Sequence, residues 1–281
     1  MLWQFDVSWK AAAVAALALL VVWAVARRRT THRADVTGSF AREAGLILGL
    51  FSLWQLAGDL SVLRIEGAVG RGHWLWHVER LLHLPNERSI QHALLPHHWF
   101  VQFTNMYYGW LHFPSLVAFL FWVYFRHREH YASVRNAIVV LTGACLLIQL
   151  IPVAPPRLVP GLGVLDTPAL YGQSVYGPIG KGVADQLSAM PSVHVGWAVL
   201  IAVVAWRISP SRWRWIAIAH AAATFTFVAT TGNHYWLDGI VSIAILLVIF
   251  EVQRRWQAGR RDARALAVHD DDILVGGATR I

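Results

Sequence analysis

Apolar residues run along this chain in long unbroken stretches instead of alternating with polar ones. A helix crossing a hydrocarbon core of about 30 Å needs roughly 20 such residues. The runs predict seven spans, at 10–26, 43–63, 106–125, 135–153, 191–206, 213–231 and 235–253. Residues 73–95 are too polar to cross. There Trp74, Val78, Leu81 and Leu82 recur at helical spacing, with Glu79, Arg80 and His83 between them. That pattern predicts a helix lying in the outer interface, or one packed on the bundle as a loop helix. Beyond about residue 257 an arginine-rich stretch leads to Asp270, Asp271 and Asp272, which predicts a solvated, disordered tail. The expected organisation is an N-terminal anchor and basic loop over 1–42, a membrane domain over 43–253 and a tail over 254–281.

Composition agrees with an all-α integral membrane protein. Of the 281 residues 56% are hydrophobic and 14% are charged, against about 25% charged in soluble domains. Cys145 is the one cysteine, which excludes a disulfide scaffold. The net charge of +8 does not indicate a nucleic-acid partner, because the basic residues cluster between apolar runs. Segments Arg27–Arg42, Arg126–Arg135, Arg207–Arg214 and the stretch from Arg254 onward hold 17 of the 24 Lys and Arg, and they alternate along the seven spans. By the positive-inside rule the N-terminus lies outside and the C-terminus in the cytoplasm of a multi-pass cell-membrane protein. Ala24-Val25-Ala26 has the look of a signal cleavage site. No basic cluster precedes the first span and three arginines follow it, so an uncleaved anchor is expected.

The candidate chemistry gathers at the extracytoplasmic ends of the spans. The fourth span runs into Pro155-Pro156-Arg157, the fifth opens with Pro191-Ser192-Val193-His194, and the seventh opens with His234-Tyr235-Trp236-Leu237-Asp238. With Pro191 at the first helical position, the N–H groups from Ser192 to His194 form an anion site. Arg157 offers a planar guanidinium for phosphate oxygens. His234 and Asp238, four apart, share a helical face, and a carboxylate beside an imidazole fixes its tautomer. His234 then suits nucleophilic attack on phosphorus, with His194 as the acid for the leaving oxygen. Tyr108 and His112 are candidates to line the pocket, and Lys181 in a Gly-rich loop is a candidate extra cation. His220 and Asp59 fit bundle-interior hydrogen bonds. Two His and one Asp also suit a metal, which the spacing leaves open.

These residues resemble a known pattern. Pro191-Ser192-Val193-His194 and His234-x-x-x-Asp238 are similar to motifs of the type 2 phosphatidic acid phosphatase (PAP2) superfamily. Pro155-Pro156-Arg157, the segment Thr231-Gly232-Asn233-His234-Tyr235, and Asn105 to His112 with Tyr108 resemble its inositolphosphotransferase branch, which contains the inositol phosphorylceramide synthases. The resemblance covers residues 43–253. It implies a six-helix transmembrane bundle plus one additional N-terminal helix, and a metal-independent reaction through a phosphohistidine with no cofactor. His234 would be the nucleophile, Asp238 its partner and His194 the acid, with Arg157 and Ser192 binding substrate. The chain departs from the superfamily at Leu150 and Val228, where a lysine and an arginine stand, and at Leu158, where a proline stands.

The expected activity is cleavage of a phosphoester in a phospholipid or other lipid-linked phosphate at the outer leaflet. The phosphoryl-containing group passes to an alcohol such as inositol, or to water in a phosphatase. A transporter using Asp59, Asp238 and the histidines is the alternative from another class, although paired interrupted helices in matching halves are missing from the sequence. A catalytically inactive envelope scaffold is a third. The donor, the acceptor and the oligomeric state are not legible in the sequence.

Overall fold

The structure is a computed structural model, and it describes residues 8–62, 66–173 and 186–278. Lys181 lies outside the described residues, as does the side chain of Asp59. Among the described residues the chain is all-helical, with one isolated parallel bridge between Val153 and Ser188.

Two helices open the chain, α1 (Trp9–Ala26) and α2 (His32–Val62). Ser8 caps α1 by accepting from the Ala11 N–H at 3.3 Å. Val14, Leu17 and Val21 of α1 are exposed, so its apolar surface faces the lipid. Small residues let the pair approach closely: a side chain at Gly45 would meet the Ala16 carbonyl at 3.2 Å, and Ala12 and Ala16 are buried. The second helix begins at His32 instead of near 43, so the expected boundary at 42 falls inside α2.

The polar stretch after α2 folds into two helices, α3 (Ala68–Leu81) and α4 (Glu87–Leu94). Next come α5 (His98–Met106), a π-helical segment at Tyr107–Leu111, α6 (His112–Arg126) and α7 (Arg128–Gln149). A loop holding a 3-10 turn at Pro156–Leu158 and the single turn α8 (Thr167–Leu170) leads to α9 (Val193–Ile208). The chain finishes with α10 (Arg214–Thr230) and α11 (Trp236–Ala278). Charge patterning predicts an irregular tail, but α11 continues through it to Ala278.

Helices lie at each of the seven expected spans: α1, α2, α5–α6, α7, α9, α10 and α11. Among the described residues five helices are long and apolar enough to cross a membrane, within Trp9–Ala26, His32–Leu56, His98–Arg126, Arg128–Gln149 and Trp236–Arg260. The other two, α9 and α10, have 16 and 17 residues, or about 24–26 Å at 1.5 Å per residue. The chain is a multi-pass membrane protein. Its largest core cluster joins Leu116 and Val123 of α6, Leu141 and Cys145 of α7, Leu200 of α9 and Leu246 of α11. That core packs α6, α7, α9 and α11 against one another, with Ala217 of α10 at its edge.

Candidate active site

The π-helical turn sets the first wall. Pro114 has no N–H to give the carbonyl of Trp110, so the α-helical ladder is broken one turn upstream. The widened turn at Tyr107–Leu111 buries two adjacent tyrosines, which a regular helix would point about 100° apart. Tyr108 faces His194, with ring centroids 4.6 Å apart. Tyr107 turns away to His220, its hydroxyl 2.5 Å from Nδ1 and 3.3 Å from Thr224 Oγ1. His112 opens α6 and packs edge-on against His194 at 4.7 Å.

Extended backbone positions the second wall. The Val153 N–H donates to Leu187 O at 2.7 Å, and the Ala189 N–H donates to Val153 O at 3.3 Å. This holds residues 187–189 beside the loop after α7 and brings the Ala189 carbonyl to His234. Nδ1 of His234 lies 2.7 Å from Ala189 O and 3.3 Å from Asp238 Oδ2. Both neighbours are acceptors, so Nδ1 carries the proton and Nε2 keeps its lone pair. Nε2 is buried and has no hydrogen-bond partner among the described residues. The His194 and His234 rings lie 5.7 Å apart, centroid to centroid, so the two imidazoles are close enough to flank one phosphorus atom.

Asp238 does more than orient a ring. Its Oδ2 accepts from the Tyr235 N–H at 2.8 Å, closing the first turn of α11 as the acidic residue of a capping box does. His234 Nδ1 thus has two neighbours, the expected Asp238 and, nearer, the Ala189 carbonyl that side-chain patterning did not announce. Pro191 also departs from expectation. It lies two residues before α9, Ser192 is the N-cap, and Val193 is the first helical residue. Ser192 is fully buried: its Oγ accepts from the Val195 N–H at 3.4 Å, its N–H donates to Asp238 O, and its carbonyl accepts from Ser242. It joins α9 to α11 and leaves the Val193 and His194 N–H groups at the open first turn.

Arg157 is buried at the edge of the site. Its Nε donates to Asn233 Oδ1 at 2.9 Å, its Nη1 pairs with Asp166 at 2.5 Å, and its N–H donates to Gly232 O. Gly232 has φ +71°, and a side chain there would strike Val164 at 2.7 Å, so only glycine suits this turn. Arg157 lies within electrostatic reach of His234. Sequence reasoning did not assign Asn233, Asp166 or Ala189. Asn233 stands inside a quoted motif, whereas a backbone carbonyl such as that of Ala189 leaves no trace in side-chain patterning.

Glu79 is the larger omission. Trp74 and Leu81 of α3 and Leu82 just after it are exposed, while Leu75 and, completely, Glu79 are buried. Glu79 Oε1 accepts from the Leu237 N–H at 2.8 Å, in the first turn of α11 and one residue before Asp238. Gly72 makes the approach possible, since a side chain there would meet Ala154 O and the Tyr235 hydroxyl at 2.8 Å. Arg80 reaches both Glu79 and the equally buried Glu87, at 3.6 and 3.1 Å. Burial, a hydrogen bond donated to Glu87 and repulsion by the Glu87 charge push the Glu79 carboxyl up to about 9, so it is protonated at neutral pH.

The sequence-derived candidates therefore converge. His194, His234, Asp238, Tyr108 and His112 form one cluster, Arg157 borders it, and Ser192 builds its frame. Val228, where the superfamily carries an arginine, packs between Tyr108 and Val195. No curated protein and no solved structure matches the chain. The sequence profile of the PAP2 superfamily matches residues 73–252, a stretch that contains every residue of this cluster, and the chain belongs to that superfamily.

Proposed function

We propose that the protein is a membrane phosphotransferase that works through a phosphohistidine on His234. The observation that carries this reading is the imidazole with Nδ1 held by Ala189 O and Asp238, Nε2 without a partner among the described residues, and a second imidazole 5.7 Å away. The Nε2 lone pair attacks phosphorus and the P–O bond to the lipid alcohol breaks. His194 gives its proton to the departing oxygen. The acceptor then loses its proton to His194 as its oxygen attacks phosphorus, and the P–N bond breaks to restore His234. Asp238 stabilises the positive charge that the His234 ring acquires on attack. Arg157 steadies the phosphate oxygens, assisted by the first turn of α9.

The donor in this reading is a phospholipid or other lipid-linked phosphate. The acceptor is an alcohol of the inositol kind, or water. The Asn105–His112 segment and the Leu150 and Val228 departures favour the inositolphosphotransferase branch. The loop charges favour a site on the extracytoplasmic face. No metal takes part. Purified protein in proteoliposomes, given labelled lipid phosphates with and without inositol in EDTA, tests each part. We expect turnover that survives the chelator and falls below detection in His234→Ala at near-normal expression. Turnover retained in that variant would remove the phosphohistidine, and loss with EDTA would replace it with metal chemistry.

A further inference from the structure

Beside the histidine cluster, and not over it, lies a cavity of about 870 Å³ between α6, α9 and α10. Its volume is within the range of about 300–1,000 Å³ that small-molecule sites occupy. Phe119 and Trp122 of α6, Ile201 and Ala205 of α9, and Ile216 and Ala219 of α10 supply its walls. Ile216 is exposed, as are Leu111 and Trp213 at the margins, so the cavity opens sideways toward lipid.

One end touches the site. Tyr107 and His220 line that end, where the Tyr107 hydroxyl is bonded to His220 Nδ1 and O and to Thr224 Oγ1. His112 stands between this end and the catalytic cluster, 5.8 Å from His220 and 4.7 Å from His194, centroid to centroid. From Leu111 to Trp122 the α6 wall descends roughly 16 Å at 1.5 Å per residue. The far end reaches Ser209, Ser211 and Arg214, at the opposite ends of α9 and α10 from His194. A mainly apolar trough that starts one imidazole away from the phosphorus position and runs toward the other side of the bundle has the shape of a hydrocarbon chain.

We propose that this trough holds the hydrocarbon tail of the lipid substrate while its phosphate lies between His194 and His234. The proposal rests on the lipid-phosphate reading above and adds the element that recognises the lipid part. Tail and head are then one ligand bridging past His112, and occupancy of the trough depends on the headgroup site. A bilayer lipid lodged there by chance would lack that dependence.

The test uses the full chain in nanodiscs as the His234→Ala variant, so that a bound lipid is not consumed. The probe is phosphatidic acid with a diazirine at the end of one acyl chain. Illumination is expected to label the α6, α9 and α10 walls. Soluble dibutyryl phosphatidic acid, which competes for the headgroup site, should reduce that labelling at least fivefold, and Ala219→Trp with Ala223→Trp should reduce it about tenfold. Labelling confined to other surfaces, or labelling of the trough that the short-chain competitor leaves unchanged, would overturn the proposal. In the active protein the same two tryptophans should lower kcat/KM for long-chain lipid phosphate at least tenfold and leave the dibutyryl substrate within twofold. Equal loss on both substrates would also overturn it. If no lipid phosphate is turned over by the unsubstituted protein while the competed labelling persists, the catalytic reading fails and the tail site stands.

Discussion

The Asp238 carboxylate is shared by a backbone N–H and an imidazole, and substitution separates the two roles. Asparagine keeps an oxygen for the Tyr235 N–H but loses the charge that steadies a protonated ring. We expect Asp238→Asn to fold within about 1 kcal/mol of the unsubstituted protein yet lose turnover by about 10²-fold or more. Thermal unfolding in detergent alongside proteoliposome turnover checks both, and full activity in the asparagine variant would reduce Asp238 to a helix cap. Glu79 gives a prediction with a definite sign. Its carboxyl titrates near 9 when folded against an ordinary 4.5, so between these values the folded state binds more protons than the unfolded state. Stability from this group is therefore complete below about 4.5 and is lost as pH rises through 9. Glu79→Gln keeps an acceptor for the Leu237 N–H and removes the titration. Its unfolding temperature should fall less between pH 7 and pH 10 than that of the unsubstituted protein, by a few degrees, and parallel curves would assign the alkaline loss to another group.

At the scale of elements, the π-helical turn is the device that lets one helix serve two neighbours, with Tyr108 on His194 and Tyr107 on His220. Its cause is a single missing N–H at Pro114. Pro114→Ala restores the donor, and proline in a helix interior costs about 3 kcal/mol relative to alanine. The variant should be no less stable, yet kcat/KM should fall about tenfold or more as the helix regularises and Tyr108 and His112 rotate off the cluster. Undiminished activity would show that the bulge is incidental. The sequence made the third span visible through its apolar run and its Tyr108–His112 spacing, since both are local patterns. The same logic left α3 undecided between an interfacial helix and one packed on the bundle; it is packed, and Glu79 is buried by a partner segment more than 150 positions away. Burial of that kind depends on which helix end arrives opposite, which periodicity within one helix does not encode.

For the whole molecule, the long-range features divide the same way. Spans and their parity follow from additive quantities, summed hydropathy and summed charge, which survive ignorance of packing. Convergence of His194, His234 and Arg157 followed because three spans ending on one side must place their ends at one depth. The tail trough and the attachment of the N-terminal hairpin depend on lateral packing and were not visible. That attachment runs through α2 and α7, where Glu43 takes Arg135 and the Tyr131 hydroxyl. Orientation is the remaining consequence of the charge count, and it has a direct measurement. Cys145 is fully buried, so the chain provides a quiet background for single reporter cysteines. Ala169, on the loop beside Arg157, and Gln257, beyond the far end of the bundle on α11, are both exposed. If the arginine clusters set the insertion, Ala169→Cys should react with a membrane-impermeant maleimide in intact cells, and Gln257→Cys should react only after lysis. The reverse pattern would place the histidines against the cytoplasm. The lipid phosphates within their reach would then be those of the inner leaflet, even with the local chemistry of His234 unaltered.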